Sequence, residues 1–357
     1  MNCWVGYLRE SLMPKEKDIK YVDIREKPFR LYGINELQTA NYHRLPEEIA
    51  NGISGSVAFH ARASAGVRVC FATDSPFIAI KAVLDGFSPS PHVADLAAKG
   101  FDLYTENDGD FVYHNSFYPP MDTPNEVVGI TYFQTPKKQN VIINFPVGTA
   151  VEKVEIGIRS DAEFFPANCY RDCLPIVYYG SSITQGFAAS RPGNTYENFI
   201  SRELKTDYLN YGFSGSALGE ANMANYIATI QMSALVIDYD HNAPDVEHLQ
   251  KTHYAFYKII RDKNPDLPIV VVSRPNANRS DDTLARKKVI VDTFTKAKTQ
   301  GDDHIFFVDG GALFPYDLRN DCTVDGTHPN DLGMYYMARG MLKVLAQILP
   351  RFSQAYL

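Results

Sequence analysis

Four short polar stretches in the second half of the chain contain residue types that could do chemistry. The first, Gly180–Gly186 (GSSITQG), places Ser182 in a glycine-flanked turn directly after an apolar run. A serine in such a strand-to-helix turn is held exposed, so its hydroxyl can be approached and can act as a nucleophile. The alternative is a turn of small residues, or one that binds phosphate, although the stretch lacks the glycine fingerprint of dinucleotide sites and the lysine of a P-loop.

The next two stretches contain groups that could stabilise developing negative charge. In Asn210–Ser216 (NYGFSGS), Gly215 has no side chain to keep a ligand from its backbone N–H, and Ser214 beside it is a weaker candidate nucleophile. In Asp238–Asn242 (DYDHN), the amide of Asn242 could donate a hydrogen bond to an oxyanion. An ordinary turn is the alternative for the first stretch, and a helix N-cap is the alternative for Asn242.

The fourth stretch, Asp325–Pro329 (DGTHP), combines an acid with a histidine just before the last predicted helix. Histidine is the side chain best suited to transfer a proton near neutral pH. An aspartate three residues earlier can orient the ring of His328 through Nδ1. A solitary surface or core histidine is the alternative for His328.

These stretches follow, or lie in the loops after, apolar runs that predict a parallel sheet. The predicted strands are 176–179, 208–211, 235–239, 268–272 and 305–308, and the predicted helices are 196–204, 221–230, 246–261, 283–299 and 332–349. Apolar runs without alternation indicate strands buried on both faces. Five strand–helix pairs predict a three-layer α/β/α domain, which binds ligands at the carboxyl ends of its strands.

Before residue 170 the sequence predicts an all-β domain. Short β-rich runs alternate with turn clusters at 67–73, 77–84, 101–106, 111–114, 140–144 and 154–159. Asn107-Asp108-Gly109 predicts a hairpin between the third and fourth of these runs. Regular short strands without a convincing helix predict a sandwich or jelly roll. We therefore expect an N-terminal extension over 1–30, a β-sandwich over 31–168 and the α/β domain over 169–357.

Composition and charge narrow the class of protein. The 357 residues carry a net charge of −7, which argues against a nucleic-acid or anionic-membrane partner. The chain shows no secretory signal and no apolar run long enough to span a membrane. Irregular spacing predicts reduced, mostly buried thiols for the five cysteines, Cys3, Cys70, Cys169, Cys173 and Cys322. We expect a cytoplasmic protein without metal or cofactor, with an exported form whose leader was removed as the alternative.

In their order along the chain, the four stretches resemble the ordered blocks of SGNH (GDSL-like) hydrolases. The resemblance implies that Ser182 is the nucleophile and that Asp325 and His328 complete a catalytic triad. It also implies an oxyanion hole made by the backbone N–H groups of Ser182 and Gly215 and the side-chain amide of Asn242. A flavodoxin-like α/β/α domain and ester hydrolysis without a metal follow from the same resemblance.

Two further segments resemble a subgroup of these hydrolases. Gly100–Tyr104 (GFDLY) is similar to the signature of a β-sandwich domain that precedes certain SGNH esterases, and Ala189–Tyr196 (ASRPGNTY) is similar to the run that follows their serine. The second segment contains Arg191, which could contact a substrate, with a solvated loop arginine as the alternative. The sequence departs from the family at Ser181, where an aspartate is usual, and at 240–244 (DHNAP), where Gly-x-Asn-Asp is usual.

The function that this resemblance implies is hydrolysis of carboxylic esters of small molecules or sugars. A deacylase that removes acetyl groups from sugars is our leading expectation, so the expected partner is a small acylated molecule. An acyltransferase would use the same acyl-enzyme with a bound alcohol in place of water. A carbohydrate-binding protein with an inactive α/β domain and a phosphate-binding α/β domain are alternatives from other classes. Assembly into a homo-oligomer is left open.

Overall fold

The β-rich runs of the first half form two antiparallel sheets. The structure, a computed structural model, describes residues 18–35, 41–87, 90–134, 137–275 and 280–349. The strands are Ile19–Asp23 (β1), Arg30–Tyr32 (β2), Arg68–Thr73 (β3), Phe77–Phe87 (β4), Phe101–Asn107 (β5), Asp110–Phe117 (β6), Glu126–Tyr132 (β7), Gln139–Asn144 (β8), Thr149–Arg159 (β9) and Phe164–Phe165 (β10). The strand orders of the two sheets are β1-β9-β4-β7 and β10-β3-β8-β5-β6, and β2 pairs with β3.

The two sheets pack face to face around one apolar core. Alternate residues of β4 and β9 enter this core from one sheet, and alternate residues of β3 and β8 enter it from the other. They are Ile78, Ile80, Val154, Ile156, Val69, Phe71, Val141 and Ile143. Because successive side chains of a strand point to opposite faces, this alternation buries one face of each sheet. The predicted β-sandwich is confirmed.

The hairpin predicted at Asn107-Asp108-Gly109 is present between β5 and β6. Asn107 pairs with Asp110, so the loop has two residues. Asp108 and Gly109 have φ angles of 51° and 89°. A two-residue loop with positive φ at both positions matches the right-handed twist of the flanking strands, which explains why this sequence turns here.

The sandwich begins inside the segment that we expected to be an N-terminal extension. Strand β1 pairs with β9 from Ile19, and Ile24 lies in the sandwich core. Residues 1–17, which include Cys3, lie outside the described residues. The start of the sandwich therefore lies near residue 19 instead of residue 31.

The expectation of a first half without helices is wrong. Short helices occur at Glu47–Ile53, Gly55–Ala61 and Asp95–Lys99. Ala50, Val57 and Ala61, on the first two helices, are buried in a core shared with the second half of the chain. Helices this short are only marginally stable on their own and gain stability from packing, so their local sequence does not predict them.

The second half forms the predicted five-stranded parallel sheet, in the order β12-β11-β13-β14-β15. Its strands are Ile176–Gly180 (β11), Tyr208–Gly212 (β12), Ala234–Asp238 (β13), Ile269–Val272 (β14) and Ile305–Val308 (β15). Its helices are Ser182–Gln185, Tyr196–Leu204, Ala221–Ile227, Val246–Lys263, Asp281–Thr299 and Asp331–Ile348. One-turn helices occur at Pro192–Asn194, Asp240–Asn242 and Gly310–Ala312.

Helices cover both faces of this sheet. On one face, helices 221–227, 246–263 and 281–299 pack against residues such as Val177 and Leu235. On the other face, helices 196–204 and 331–348 pack against residues such as Ile176 and Val236. The three-layer α/β/α architecture is confirmed. None of the helices in the described ranges is long and apolar enough to cross a membrane.

The prediction of reduced thiols is wrong for two of the cysteines. Cys70 on β3 and Cys169 form a disulfide with a Cα–Cα distance of 6.3 Å, whereas Cys173 and Cys322 are free. The partners are 99 residues apart, and only the folding of the sandwich brings them together. The disulfide removes part of the argument for a cytoplasmic location, because disulfides persist mainly in oxidising compartments.

Candidate active site

The first candidate residue, Ser182, begins a short helix at the carboxyl end of β11. Ser181 caps this helix, with its hydroxyl accepting a hydrogen bond from the Ile183 N–H at 3.2 Å. A side chain at Gly180 would lie 2.0 Å from the Thr184 hydroxyl and 2.4 Å from the Asp238 carbonyl, so only glycine fits there. Ser181 thus caps the helix from the position of the family's usual aspartate.

Ser182, His328 and Asp325 form a continuous hydrogen-bonded line. The Oγ of Ser182 lies 2.9 Å from Nε2 of His328, and Nδ1 of His328 lies 2.7 Å from Oδ2 of Asp325. Ser182 is only 7% exposed. The structure therefore brings together the three residues that the sequence paired only by pattern, although Ser182 and His328 are 146 positions apart.

The environment of Asp325 keeps its carboxyl group ionised. Burial alone raises the pKa of Asp325, but hydrogen bonds from the His328 ring and from the backbone N–H groups of His328 and Thr327 lower it to about 2. Those two N–H groups donate to Oδ1 at 2.7 and 2.9 Å. An ionised carboxylate at Nδ1 holds the proton on that nitrogen, so Nε2 can accept the proton of the Ser182 hydroxyl. This geometry can activate a serine nucleophile.

The loops that carry Gly215 and Asn242 start at the same edge of the sheet as the Ser182 turn. Gly180, the last residue of β11, is in register with Gly212 at the end of β12 and with Asp238 at the end of β13. The three loops therefore leave the sheet at one level. A side chain at Gly212 would lie 2.2 Å from the Gln185 backbone nitrogen, so β12 approaches the Ser182 helix closely.

Hydrogen bonds tie these loops together. Gln185 Oε1 accepts from the Ser214 backbone N–H at 3.0 Å, and the Asn242 amide donates to the Phe213 carbonyl at 2.8 Å. Gly215 has a φ of 65°, and no atom of the described residues, apart from Gly215 and its two chain neighbours, lies within 4 Å of where a side chain would begin. His328 contacts the hydroxyl of Ser182. Ser214, the alternative nucleophile, takes part in the loop through its backbone N–H. The N-cap of the following helix is Asp245, so Asn242 does not have the N-cap role that was the alternative for it.

Asp240 anchors the turn that carries Asn242. Its buried carboxylate accepts hydrogen bonds from the Arg274 side chain at 2.8 Å and from the Arg274 backbone N–H at 3.0 Å. Arg286 lies 3.8 Å from the same carboxylate and donates to the Ala243 carbonyl at 2.9 Å. Two arginines thus hold this turn against the sheet edge.

Arg191 is not the solvated loop arginine that was its alternative. Its guanidinium donates to the buried Asp102 carboxylate at 2.8 Å and to the Tyr104 hydroxyl, and it lies over the Tyr113 ring at 4.2 Å. Asp102 and Tyr104 belong to the GFDLY stretch on β5. Arg191 therefore joins the α/β domain to the sandwich, and its contact with a substrate stays a prediction.

The GFDLY stretch is linked to the histidine loop through Ala189–Tyr196. Asp102 also accepts from the Gly193 backbone N–H at 2.8 Å. In the same turn, the Ser190 backbone N–H and the Asn194 amide both donate to Asp331 at 2.7 Å. Asp331 starts the helix that follows His328. The two stretches that resembled a subgroup signature thus form one hydrogen-bonded path from the sandwich to the start of the helix that follows His328.

Sequence reasoning missed one residue at this site, His92. Its ring lies parallel to the His328 ring, with centroids 5.9 Å apart and planes 15° apart. Its Nδ1 lies 3.6 Å from Oδ2 of Asp325. His92 comes from a loop of the sandwich domain and follows no acid at motif spacing, so nothing in the sequence marks it.

Two family models match the chain. Residues 174–346 match the GDSL-like lipase/acylhydrolase family. Residues 19–164 match the domain called GxDLY, which forms the N-terminus of SGNH-hydrolase-type esterases. Together these matches cover both observed domains. No curated protein sequence matches the chain significantly.

Solved structures share the fold of the whole chain. A candidate GDSL-like lipase from Bacteroides ovatus is 27% identical, with a TM-score of 0.85 over 93% of this chain and 98% of its own. The salicylyl-acyltransferase SsfX3 of a tetracycline biosynthetic pathway is 18% identical, with a TM-score of 0.75 over 94% of this chain and 98% of its own. The acetyl xylan esterase Est2A of the rumen bacterium Butyrivibrio proteoclasticus is 13% identical, with a TM-score of 0.61 over 94% and 99%. The last two show likeness of fold alone.

Proposed function

We propose that Ser182 is the nucleophile of this chain, an esterase whose two domains match the GDSL-like lipase/acylhydrolase family and the N-terminal domain of SGNH-type esterases. The observation that carries the proposal is the 2.9 Å contact between Ser182 Oγ and His328 Nε2. The 2.7 Å contact of the same ring with Asp325 supports it, because the carboxylate orients the histidine for proton transfer.

In the proposed reaction, the Ser182 oxygen attacks the ester carbonyl carbon while His328 takes the hydroxyl proton. The tetrahedral intermediate then collapses, the bond to the alcohol oxygen breaks, and His328 returns the proton to the leaving alcohol. A water molecule then attacks the acyl carbon while His328 takes a proton from it. The bond to the Ser182 oxygen breaks, the acid leaves, and His328 returns the proton to Ser182. Asp325 stays ionised throughout and stabilises the imidazolium form.

We assign the oxyanion hole to the backbone N–H groups of Ser182 and Gly215 and to the side chain of Asn242. The Asn242 amide has two N–H groups, and one of them is bound to the Phe213 carbonyl. Among the described residues the other N–H has no partner, and in this proposal it donates to the substrate, with its direction set by the first bond. Losing one such donor typically lowers kcat by about 10²–10³-fold.

The substrate class that we propose is an acetyl ester of a sugar or of another small polyhydroxylated molecule. Family membership supports ester cleavage, and the shared fold of an acetyl xylan esterase makes acetylated sugars the first compounds to test. The same fold serves an acyltransferase, so fold does not decide between water and a second alcohol as the acyl acceptor.

The test compares hydrolysis of p-nitrophenyl acetate by the wild type and by Ser182→Ala, with Ser214→Ala as the matched control. We expect Ser182→Ala to lose about 10³-fold or more in kcat, and Ser214→Ala to stay within a few-fold of the wild type. Acetylated xylose or glucose then replaces the chromogenic ester, with acetate release as the readout. Added alcohols that accelerate p-nitrophenol release while acetate falls would favour acyl transfer.

Absence of turnover on every ester, with sugar binding unaffected by Ser182→Ala, would favour the carbohydrate-binding alternative.

A further inference from the structure

We propose that His92, which the sandwich domain supplies, is a positioning residue for His328. Its imidazole packs beside the face of the His328 ring and approaches the carboxylate oxygen that orients that ring. The inference rests on the proposed function of Ser182, His328 and Asp325. It adds that the catalytic histidine is held from two domains and not by its own loop alone.

The geometry of the two rings supports a packing role. With centroids 5.9 Å apart and planes 15° apart, the rings lie in the range of offset stacking between aromatic groups. Rotation of the His328 ring out of the plane that joins Asp325 to Ser182 would move its edge toward His92. The neighbouring ring therefore limits the rotation that would break the 2.9 Å contact with Ser182.

The position of Nδ1 of His92 supports an electrostatic role. It lies 3.6 Å from Oδ2 of Asp325, the same oxygen that accepts from His328 at 2.7 Å. At this distance the contact is electrostatic and not a hydrogen bond, and it is favourable when Nδ1 of His92 carries a proton. It stabilises the ionised carboxylate, which the proposed mechanism requires.

His92 sits on an anchored segment. The next residue, Val93, is 8% exposed and packs in a small apolar cluster with Ala97, Val147 and Phe187. Phe187 follows the Ser182 helix, and Gln185 of that helix donates to the Val147 carbonyl at 3.0 Å. The cluster fixes the backbone beside His92 against the nucleophile helix, so the ring position follows from domain packing.

The test measures kcat and KM of His92→Ala and His92→Phe on p-nitrophenyl acetate and on an acetyl ester with an unactivated alcohol. His304→Ala is the matched control, because the side chains of His304 and His92 are both 47% exposed and each lies within 4.0 Å of an aspartate. We expect His92→Ala to lower kcat by about 10–100-fold with little change in KM, since small displacements of catalytic groups cost this much. His92→Phe, which keeps a ring, should recover part of the loss.

The loss should be larger for the unactivated ester, because its leaving alcohol needs the proton that His328 returns. A pH–rate profile adds a readout that a purely structural role would not move. The titratable groups around His328 are Asp325, His92 and His241. Burial and the nearby Arg274 lower the pKa of His241 to about 3, so His241 stays neutral. His92→Ala removes the imidazole whose Nδ1 lies 3.6 Å from Oδ2 of Asp325. The acid limb of the kcat/KM profile should therefore change in His92→Ala and stay unchanged in the His304→Ala control.

Two results would overturn the inference. One is a kcat of His92→Ala within twofold of the wild type on both esters, and the other is a change confined to KM. Failure of the proposed function is separate: it would appear as a wild type without activity, or as Ser182→Ala with undiminished activity. If His92→Ala does not fold, as judged by circular dichroism, the comparison of His92→Phe with the wild type decides.

Discussion

Replacing Asp102 with alanine should destabilise the protein although Asp102 lies outside the proposed catalytic line. Its carboxylate is fully buried and accepts three hydrogen bonds, each of 2.8 Å, from the Arg191 guanidinium, the Gly193 backbone and the Asn144 amide. Alanine would leave all three donors without this acceptor. The change therefore removes the buried ion pair between the GFDLY stretch and the α/β domain and leaves the contact of Arg191 with the Tyr104 hydroxyl.

The expected loss follows from these contacts. Removing one partner of a buried ion pair costs about 3–5 kcal/mol, because the remaining charge is left unpaired. The Arg191 side chain is 20% exposed, so water can solvate part of the freed guanidinium. The buried Gly193 N–H cannot be solvated in this way and adds a penalty of about 1–3 kcal/mol. With both effects included, we expect Asp102→Ala to lower the free energy of unfolding by about 4 kcal/mol or more.

Urea unfolding followed by fluorescence and by residual esterase activity measures this loss. Asp95→Ala is the matched control, because the Asp95 side chain is 80% exposed and pairs with Lys99 at 3.5 Å. The control should change the free energy of unfolding by less than about 0.5 kcal/mol. Activity should fall before global unfolding, since the turn held by Asp102 also holds Asp331 next to the histidine loop. A change below about 1 kcal/mol for Asp102→Ala would refute the reasoning.

Four further outcomes are expected. Asp325→Asn should lower kcat by about 10⁴-fold at neutral pH, because an amide facing Nδ1 favours the tautomer that cannot accept the serine proton; steady-state hydrolysis of p-nitrophenyl acetate checks this. Asn242→Ala should lower kcat by about 10²–10³-fold with KM nearly unchanged, and Asn242→Asp is the variant of matched size. The pKa of Asp325 is lowered from 3.8 to about 2, so the ionised carboxylate stabilises the fold fully above pH 4 and this stabilisation is lost as the pH falls toward 2. In Asp325→Asn, the urea midpoint of unfolding should therefore lack the decrease between pH 4 and pH 2 that Asp325 causes in the wild type. Reducing the Cys70–Cys169 disulfide should cost about 2–5 kcal/mol, and a Tm unchanged by dithiothreitol would contradict it.

The elements that could be predicted from the sequence are those whose signals lie within a short stretch of the chain. Helix Tyr196–Leu204 and strand Ile305–Val308 have the predicted bounds, because apolar periodicity and a Thr195 cap are visible in a short window. The Asp325–His328 pair was visible for the same reason, since its two members are three residues apart. These features need no knowledge of what packs against them.

The features that escaped prediction all depend on contacts between distant segments. Helices 47–53 and 55–61 are stabilised by packing on the α/β domain, and the disulfide forms only after β3 and the segment beyond β10 meet. Arg191 looked like a loop arginine because its partner, Asp102, is 89 residues away. No spacing rule connects such residues, so their roles became visible only in the folded chain.

The same contacts bear on what the sandwich is for. If the sandwich were an independent sugar-binding module, its signature residues would be expected to face a ligand. Instead Asp102 is fully buried against the α/β domain. Only glycine fits at position 193, because a side chain there would lie 2.5 Å from the Tyr104 hydroxyl. Charged groups buried at a domain interface are costly unless each is paired, so this arrangement persists only with both domains in fixed relation. That fixed relation is what allows a sandwich residue, His92, to lie beside His328 with the accuracy that positioning requires.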